Sequence, residues 1–406
     1  MRFQRFISSW AVFCCGLALC SQSASLAELK KSVAAVGRLD FKSDVPVRYL
    51  DRAQMKRYVE QLFEKDYPDE LAQAESEFLF RMGFSDRPIA LKPLRRKIIL
   101  ENVGGMYNEK TRELLAVEEY RELDMLNTPA LVHEFRHAIQ DQHFGLARLL
   151  GDHSDYDDRR LAALAAIEGD ATLVMILQLG LDPDLIGDAF SADNVLAFSA
   201  AAGTSSLSGA PAVVKHQLLM PYLDGLKFSR AILKKRSWKG LTEVFRQPPQ
   251  SSEQILHPQK YLLQEKPMAV RIGYRPAHWR QVHSGVIGEF FLNVLLAKDG
   301  EPGTAAAGWG GDFHVMYRYG DSYMLLWEAE WDLPADCDRF ASAFRGFIED
   351  RFRFTFRPGR EKNLSFLAGD SADGYFFLYR HNSRLFYARS NDRGKINEFI
   401  SGGMYD

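Results

Sequence analysis

Residues 133 to 137 read His-Glu-Phe-Arg-His, and Glu168 lies downstream in Ile167-Glu168-Gly169-Asp170-Ala171-Thr172. Two histidines four apart on a helix stand about 40° apart around its axis and ~6 Å apart along it, so both imidazoles can reach one ion. Glu134 then projects beside that ion rather than onto it. A carboxylate held there can take a proton from a water whose pKa a zinc ion lowers to roughly 7. The chemistry these residues could perform is zinc-assisted hydrolysis, with His133, His137 and Glu168 as metal ligands, Zn2+ as cofactor and Glu134 as the base.

The elements that must position these groups are written around them. Thr128 suits an N-cap and Pro129 the first helical position, where a missing N–H costs nothing. Leu131, Val132, Phe135, Ala138 and Ile139 recur at helical spacing and give the segment an apolar back. Asp141, four beyond His137, is either the acceptor that fixes an imidazole tautomer or a solvated helix residue. His143 competes with Glu168 for the third ligand position. If the helix continues past Gln140, His143 is carried ~9 Å further along than His137 and out of reach. Glu168 fits better: Arg160 to Met175 reads as a second, mostly buried helix rich in alanine and leucine, where a carboxylate is costly unless paired or metal-bound. Gly169 and Ala171 offer small surfaces for close approach to the first helix. The loop candidates for a second donor to a reaction oxyanion are His257, held extended by Pro258, and Tyr261.

His133, Glu134, His137 and the downstream Glu168 resemble the gluzincin branch of zinc metallopeptidases, whose third ligand comes from a Glu-x-x-Ala or Glu-x-x-x-Asp segment. Glu168 and Ala171 match the first form, while Thr172 stands at the aspartate position of the second, leaving Asp170, Thr172 and Asp141 as substitutes for the usual partner of a ligand. The chain also resembles a group of secreted bacterial zincin-like proteins. That likeness rests on His137 to Phe144, Glu168 to Thr172, Glu253 to Pro258 and Gly308 to Asp312. It implies an α+β fold with a zincin-like catalytic domain and hydrolysis of a peptide or protein substrate. In zincins an exposed edge strand just before the zinc helix binds extended peptide through main-chain hydrogen bonds. A hairpin of Ile98–Val103 and Arg112–Val117 around a turn at Asn108 to Thr111 is the counterpart expected here.

Compartment and partners follow from the rest of the chain. Arg2 and Arg5 precede the apolar stretch Trp10 to Leu19 and the small and polar residues Ser21 to Ala27, the anatomy of a signal peptide. Export to the periplasm or beyond is therefore expected. Leu17-Ala18-Leu19-Cys20 offers a lipid anchor at Cys20 as an alternative. Beyond Leu26 no segment reads as long and apolar enough to span a membrane. Cys14, Cys15 and Cys20 belong to the leader, so Cys337 stands alone and no internal disulfide can form. The 51 lysines and arginines against 53 acids become 49 against 53 once Arg2 and Arg5 leave, a net charge of −4. Arg95-Arg96-Lys97 and Lys234-Lys235-Arg236 are then solvated faces, and nucleic acid is not an expected partner.

The expected organisation is a leader over 1–27, a helical segment over 28–95, the zincin-like domain over 96–265 and a C-terminal α+β domain with an antiparallel sheet over 266–406. Helix from about Ala212 to Phe245 is broken near Pro221 and Gly225, and a small-residue loop covers Ser199 to Ala212. The last domain carries an amphipathic helix Gly285–Ala297 and a glycine-rich loop ending at Gly311. Hairpins Phe313–Tyr319/Ser322–Trp331 and Tyr375–Arg380/Arg384–Ala388 follow, with a helix Asp336–Arg351 between them. Two further classes stay open beside a secreted or periplasmic metallopeptidase: a zincin-derived metal-binding protein, and an envelope scaffold without activity.

Overall fold

The computed structural model describes residues 25–124, 127–151, 154, 156–186, 191, 194, 206–297, 303–361 and 364–403. The expected leader up to residue 24, with Cys20, and the loop positions 199–205 lie outside the described residues. The chain is α+β. Its first half is helical: α1 (Leu26–Gly37), α2 (Arg52–Asp66), α3 (Asp69–Met82), α4 (Leu91–Asn102), α5 (Thr128–Phe144), α6 (Leu146–Leu150), α7 (Asp158–Gln178), α8 (Pro183–Ile186) and α9 (Ala212–Arg246). Short helices α10 (Ser252–Leu256) and α11 (Pro258–Leu262) lead to α12 (Gly288–Leu295), α13 (Pro334–Phe352) and α14 (Arg393–Glu398).

Three strands interrupt the helices: β1 (Val47–Leu50), β2 (Gly105–Asn108) and β3 (Glu113–Val117). They form a sheet in the order β1-β3-β2, with β1 parallel to β3 and β2 antiparallel. The hairpin before the zinc-motif helix therefore exists, but its first strand is Gly105–Asn108. Residues 98–102, expected as strand, finish α4 instead, where Ile98 and Ile99 face the core from a helix. A short β-branched run cannot be told from a buried helical turn by pattern alone. The same helix buries Arg95, which the sequence suggested was solvated; its guanidinium lies over the rings of Tyr67 and Tyr156 and donates to Gln217.

The C-terminal part is a seven-stranded antiparallel sheet ordered β4-β5-β6-β10-β9-β8-β7, comprising β4 (Arg280–Gly285), β5 (Trp309–Tyr319), β6 (Ser322–Trp331), β7 (Arg357–Glu361), β8 (Leu364–Ser371), β9 (Gly374–His381) and β10 (Arg384–Ser390). Alternation sorts its residues. Leu325, Trp327, Ala329 and Trp331 face α13 and the main core, while Met324 and Leu326 face a second core closed by Ile396, Phe399 and Ile400. Both expected hairpins are present. The glycine-rich run ends earlier than expected, because β5 begins at Trp309 with a bulge before Gly311. Helix α12 spans only Gly288–Leu295; its polar Glu289 and Asn293 stand four apart on one face, as an amphipathic helix requires, yet every one of its residues is buried.

The main core runs from Leu29 to Tyr387 and so joins the helical half to the sheet. Arg389, fully buried on β10, donates to the carbonyl of Arg81 at the end of α3 and lies 3.9 Å over the Phe352 ring. Helix α7 meets the length and mean hydropathy of a membrane span (21 residues, 1.5), which corrects the expectation that no such segment exists; it is nonetheless the buried central helix of this fold.

Helix α9 is continuous through Pro221 and Gly225, where breaks were expected. Its non-helical residue is Ser237, at φ 56°. The reason for Gly225 is packing. A Cβ there would stand 2.2 Å from the carbonyl oxygen of Ala165, and one on Gly169 would stand 2.1 Å from the backbone of Gly225. Gly169 thus lets α7 approach α9, not α5 as the sequence suggested. Gly169→Ala should destabilise the protein by roughly 2–3 kcal/mol through forced separation of two helices. Gly346→Ala on α13, with open space around its position, should be neutral or stabilising by up to about 1 kcal/mol. Urea unfolding midpoints of the two variants at unchanged m-value measure both.

Candidate metal centre

Helix α5 buries Leu131, Val132, Phe135, Ala138 and Ile139 to 1 % exposure or less, the apolar back read from the sequence. It starts one residue earlier than expected: Asn127 is the cap, Thr128 is already helical and Pro129 fills the first turn. It runs on through Phe144 and ends at Gly145 in the left-handed region. His143 is thereby carried away from the other histidines, and its Nε2 meets the carbonyl oxygen of Asp40 at 2.7 Å.

His133, His137 and Glu168 converge. Nε2 of His133 lies 3.0 Å from Glu168 Oε2 and 3.0 Å from His137 Nε2, and His137 Nε2 lies 3.3 Å from the same carboxylate oxygen. Three ligand atoms on a tetrahedral zinc at bonds of about 2.0–2.1 Å stand about 3.3 Å apart. The triangle of two imidazole nitrogens and one carboxylate oxygen is therefore close to one face of a zinc tetrahedron, and the donor set is of the type zinc takes. Among the described residues these three form one of two groups whose ligand atoms lie within 4.8 Å of one another. In the other, Glu253, Glu265 and Asp332, the ammonium of Lys260 sits within 2.6–2.7 Å of all three carboxylates and takes the cation's role.

The shell behind the triad orients the His137 ring. Gln140 donates from Nε2 to Asp170 Oδ2 at 2.7 Å and to the Ile167 carbonyl at 3.0 Å, so its Oε1, 2.8 Å from His137 Nδ1, is an acceptor. Nδ1 of His137 therefore carries a hydrogen, so that Nε2 is the nitrogen that bears the lone pair toward the triad once the ring is neutral. Asp170 is held in turn by a two-pronged ion pair with Arg136 at 2.7 and 3.1 Å. Arg136 also reaches the Gly37 carbonyl on α1. Gln140 is thus the residue that orients the His137 ring. Asp141 plays neither role expected for it: Oδ2 accepts from the Tyr107 hydroxyl and Oδ1 from the Leu146 N–H at the start of α6.

Charge and burial compete at Glu168. Burial pushes its carboxyl up, but the neighbouring His137 charge and hydrogen bonds from both imidazoles outweigh it and hold the group well below the carboxylate range. Burial pulls His137 down, while Glu168 more than compensates and leaves it above the ordinary histidine value. Glu134 accepts the Tyr107 backbone N–H on Oε2 at 2.6 Å. Its Oε1 is buried with no hydrogen-bond partner, as is Oε1 of Glu168. Strand β2 thus fixes the orientation of the Glu134 carboxylate. It is an outer strand of its sheet, yet all four of its residues are buried, where an exposed edge was expected.

The structure does not bring His257 or Tyr261 to the triad. His257 pairs through Nε2 with Glu289 at 3.0 Å, and the Tyr261 hydroxyl donates to the Gln247 carbonyl at 2.8 Å. Beside the triad stands Tyr222 of α9, whose ring stacks 6.0 Å from that of His133. The sequence signal was weak: Tyr222 follows Pro221 in a stretch read as broken helix, and only the α7–α9 glycine contact turns it toward α5.

The family model that matches this chain is described as a domain of unknown function (DUF8575) and covers residues 275–398, the seven-stranded sheet from β4 to β10 with α12–α14. The match leaves the triad outside. No curated protein and no solved structure matches the chain.

If the triad holds zinc, Gln140→Leu should lower the affinity about 10- to 100-fold, because His137 loses the acceptor that sets its tautomer, while His143→Ala should leave it unchanged. Competition titration with a zinc chelator measures both. Affinity should also fall with decreasing pH, beginning above the ordinary histidine value, since His137 must lose its second proton to offer Nε2.

Proposed function

We propose that the chain is a zinc-dependent hydrolase of the gluzincin type, acting on peptide bonds in an exported setting. The observation that carries this reading is the convergence of His133, His137 and Glu168 within 3.3 Å, with Glu134 beside them holding a buried, unpartnered oxygen. Zinc held by the triad supplies a Lewis acid that polarises a carbonyl and makes water acidic enough to lose a proton near neutral pH. Glu134, anchored by Tyr107 N–H through Oε2, offers Oε1 to take that proton and return it to the leaving amine. Tyr222 replaces His257 and Tyr261 as the side chain that supports the developing oxyanion.

A second reading rests on a specific observation. His133, Glu134, His137 and Glu168 are each only 1–4 % exposed, and catalytic zinc keeps an open position. A buried centre suits a metal-binding protein that uses zinc to hold α5 and α7 together.

Turnover of a peptide library with and without a chelator separates the two. On the hydrolase reading, Glu134→Gln keeps one zinc per chain and loses activity by at least about 100-fold. Tyr222→Phe, on the same reading, lowers kcat roughly 10- to 1,000-fold with zinc retained. Chelator-insensitive cleavage, or no cleavage by a zinc-loaded chain whose melting temperature zinc has raised, would leave the metal-binding reading in its place.

A further inference from the structure

A cavity of about 490 Å³ opens along α9 between α10, α11 and α12, within the size range of small-ligand sites. Its wall is apolar, from Leu219, Leu223, Ile255 and Phe290, and its polar groups include His257 and Glu289. Leu219 and Leu223 flank Tyr222 on α9, and none of His133, Glu134, His137 and Glu168 lines the cavity.

Glu289 is the unusual group. Its side chain is 2 % exposed, His257 Nε2 meets Oε1 at 3.0 Å, and Oε2 has no hydrogen-bond partner. A buried carboxylate oxygen left without a donor is destabilising. Neighbouring cations do not make up the deficit. Lys260 is already shared by Glu253, Glu265 and Asp332, and Lys227 at the rim pairs with Asp224 at 2.9 Å. The cluster of Glu253, Glu265, Asp332 and Glu289 thus has four carboxylates against one lysine and one histidine.

We propose that this cavity binds a cation on an apolar stem, an alkylammonium or alkylguanidinium of the kind a lysine or arginine side chain carries. The N–H groups of the cation satisfy Glu289, and the methylene stem lies against Leu219, Leu223 and Phe290. This inference does not rest on the hydrolase reading, since occupancy is read without turnover.

Calorimetric titration of the full exported chain at pH 7 with n-pentylamine and with n-pentanol tests it. The amine should bind at least tenfold tighter, as a charge-assisted hydrogen bond requires, and Glu289→Gln should erase that difference. Leu223→Phe, which fills the wall and leaves the acid untouched, should weaken the amine and the alcohol alike. Equal binding of the two probes, or a preference that survives Glu289→Gln in a chain of unchanged melting temperature, overturns the proposal. Nα-acetyl-lysine amide distinguishes sources: tighter binding than pentylamine assigns the site to polypeptide side chains, weaker binding to free amines, and both outcomes support the cationic site.

Discussion

The buried ion pair between Arg136 and Asp170 is the interaction on which the candidate metal centre depends. Both side chains are at most 3 % exposed, and removing one partner of such a pair costs about 3–5 kcal/mol because the other charge is stranded. The pair locks the register of α5 against α7. Asp170 can then receive Gln140, and Gln140 can receive His137. Each step hands on a fixed orientation, so the direction of one ligand nitrogen is set by a charge two side chains away. Arg136 also holds the Gly37 carbonyl and so draws α1 against the same helix pair.

Close helix packing supplies the second constraint. Ala165, Gly169 and Gly225 bring the backbones of α7 and α9 nearly into contact, and this contact places Tyr222 beside His133. Two apolar helices with so little side chain between them leave no freedom to slide. Burial at this density also explains why the ionisable groups of the centre must satisfy one another: a charge without a partner there is expensive.

The sheet is joined to this helical body by buried polar contacts as well as apolar ones. Asp312 of β5 accepts N–H groups from Ile287, Gly288 and Trp309, and burial still pushes its carboxyl up to about 6. Gly288 is required beside it: φ is +79°, and a Cβ would fall 1.9 Å from the Asp158 carboxylate at the start of α7. The segments Glu253 to Pro258 and Gly308 to Asp312, singled out in the sequence, thus lie at the junction of helices and sheet, away from the triad. Phe78 of α3 adds a further joint by stacking on His283 and His314 of β4 and β5.

Local pattern was enough to place α5, α7, the two C-terminal hairpins and α13, and to single out His133, Glu134, His137 and Glu168. A helix of fixed pitch puts residues four apart on one face whatever surrounds it, and an acid in an alanine-rich buried helix demands a partner that few residue types supply. The strand read at 98–103, the breaks at Pro221 and Gly225 and the partner of Gly169 were not settled by local pattern, because each depends on which surface packs alongside. His257 and Tyr261 have suitable chemistry, yet tertiary contacts commit them to Glu289 and Gln247. Gln140 had no role legible in the sequence, because Asp170 reaches it only through the packing of α7 on α5. The sequence by itself determined which side chains could hold a metal, since that follows from helical spacing and ligand chemistry. The tertiary structure alone decided which groups orient them and which ring stands over them, since those contacts join residues far apart in the chain.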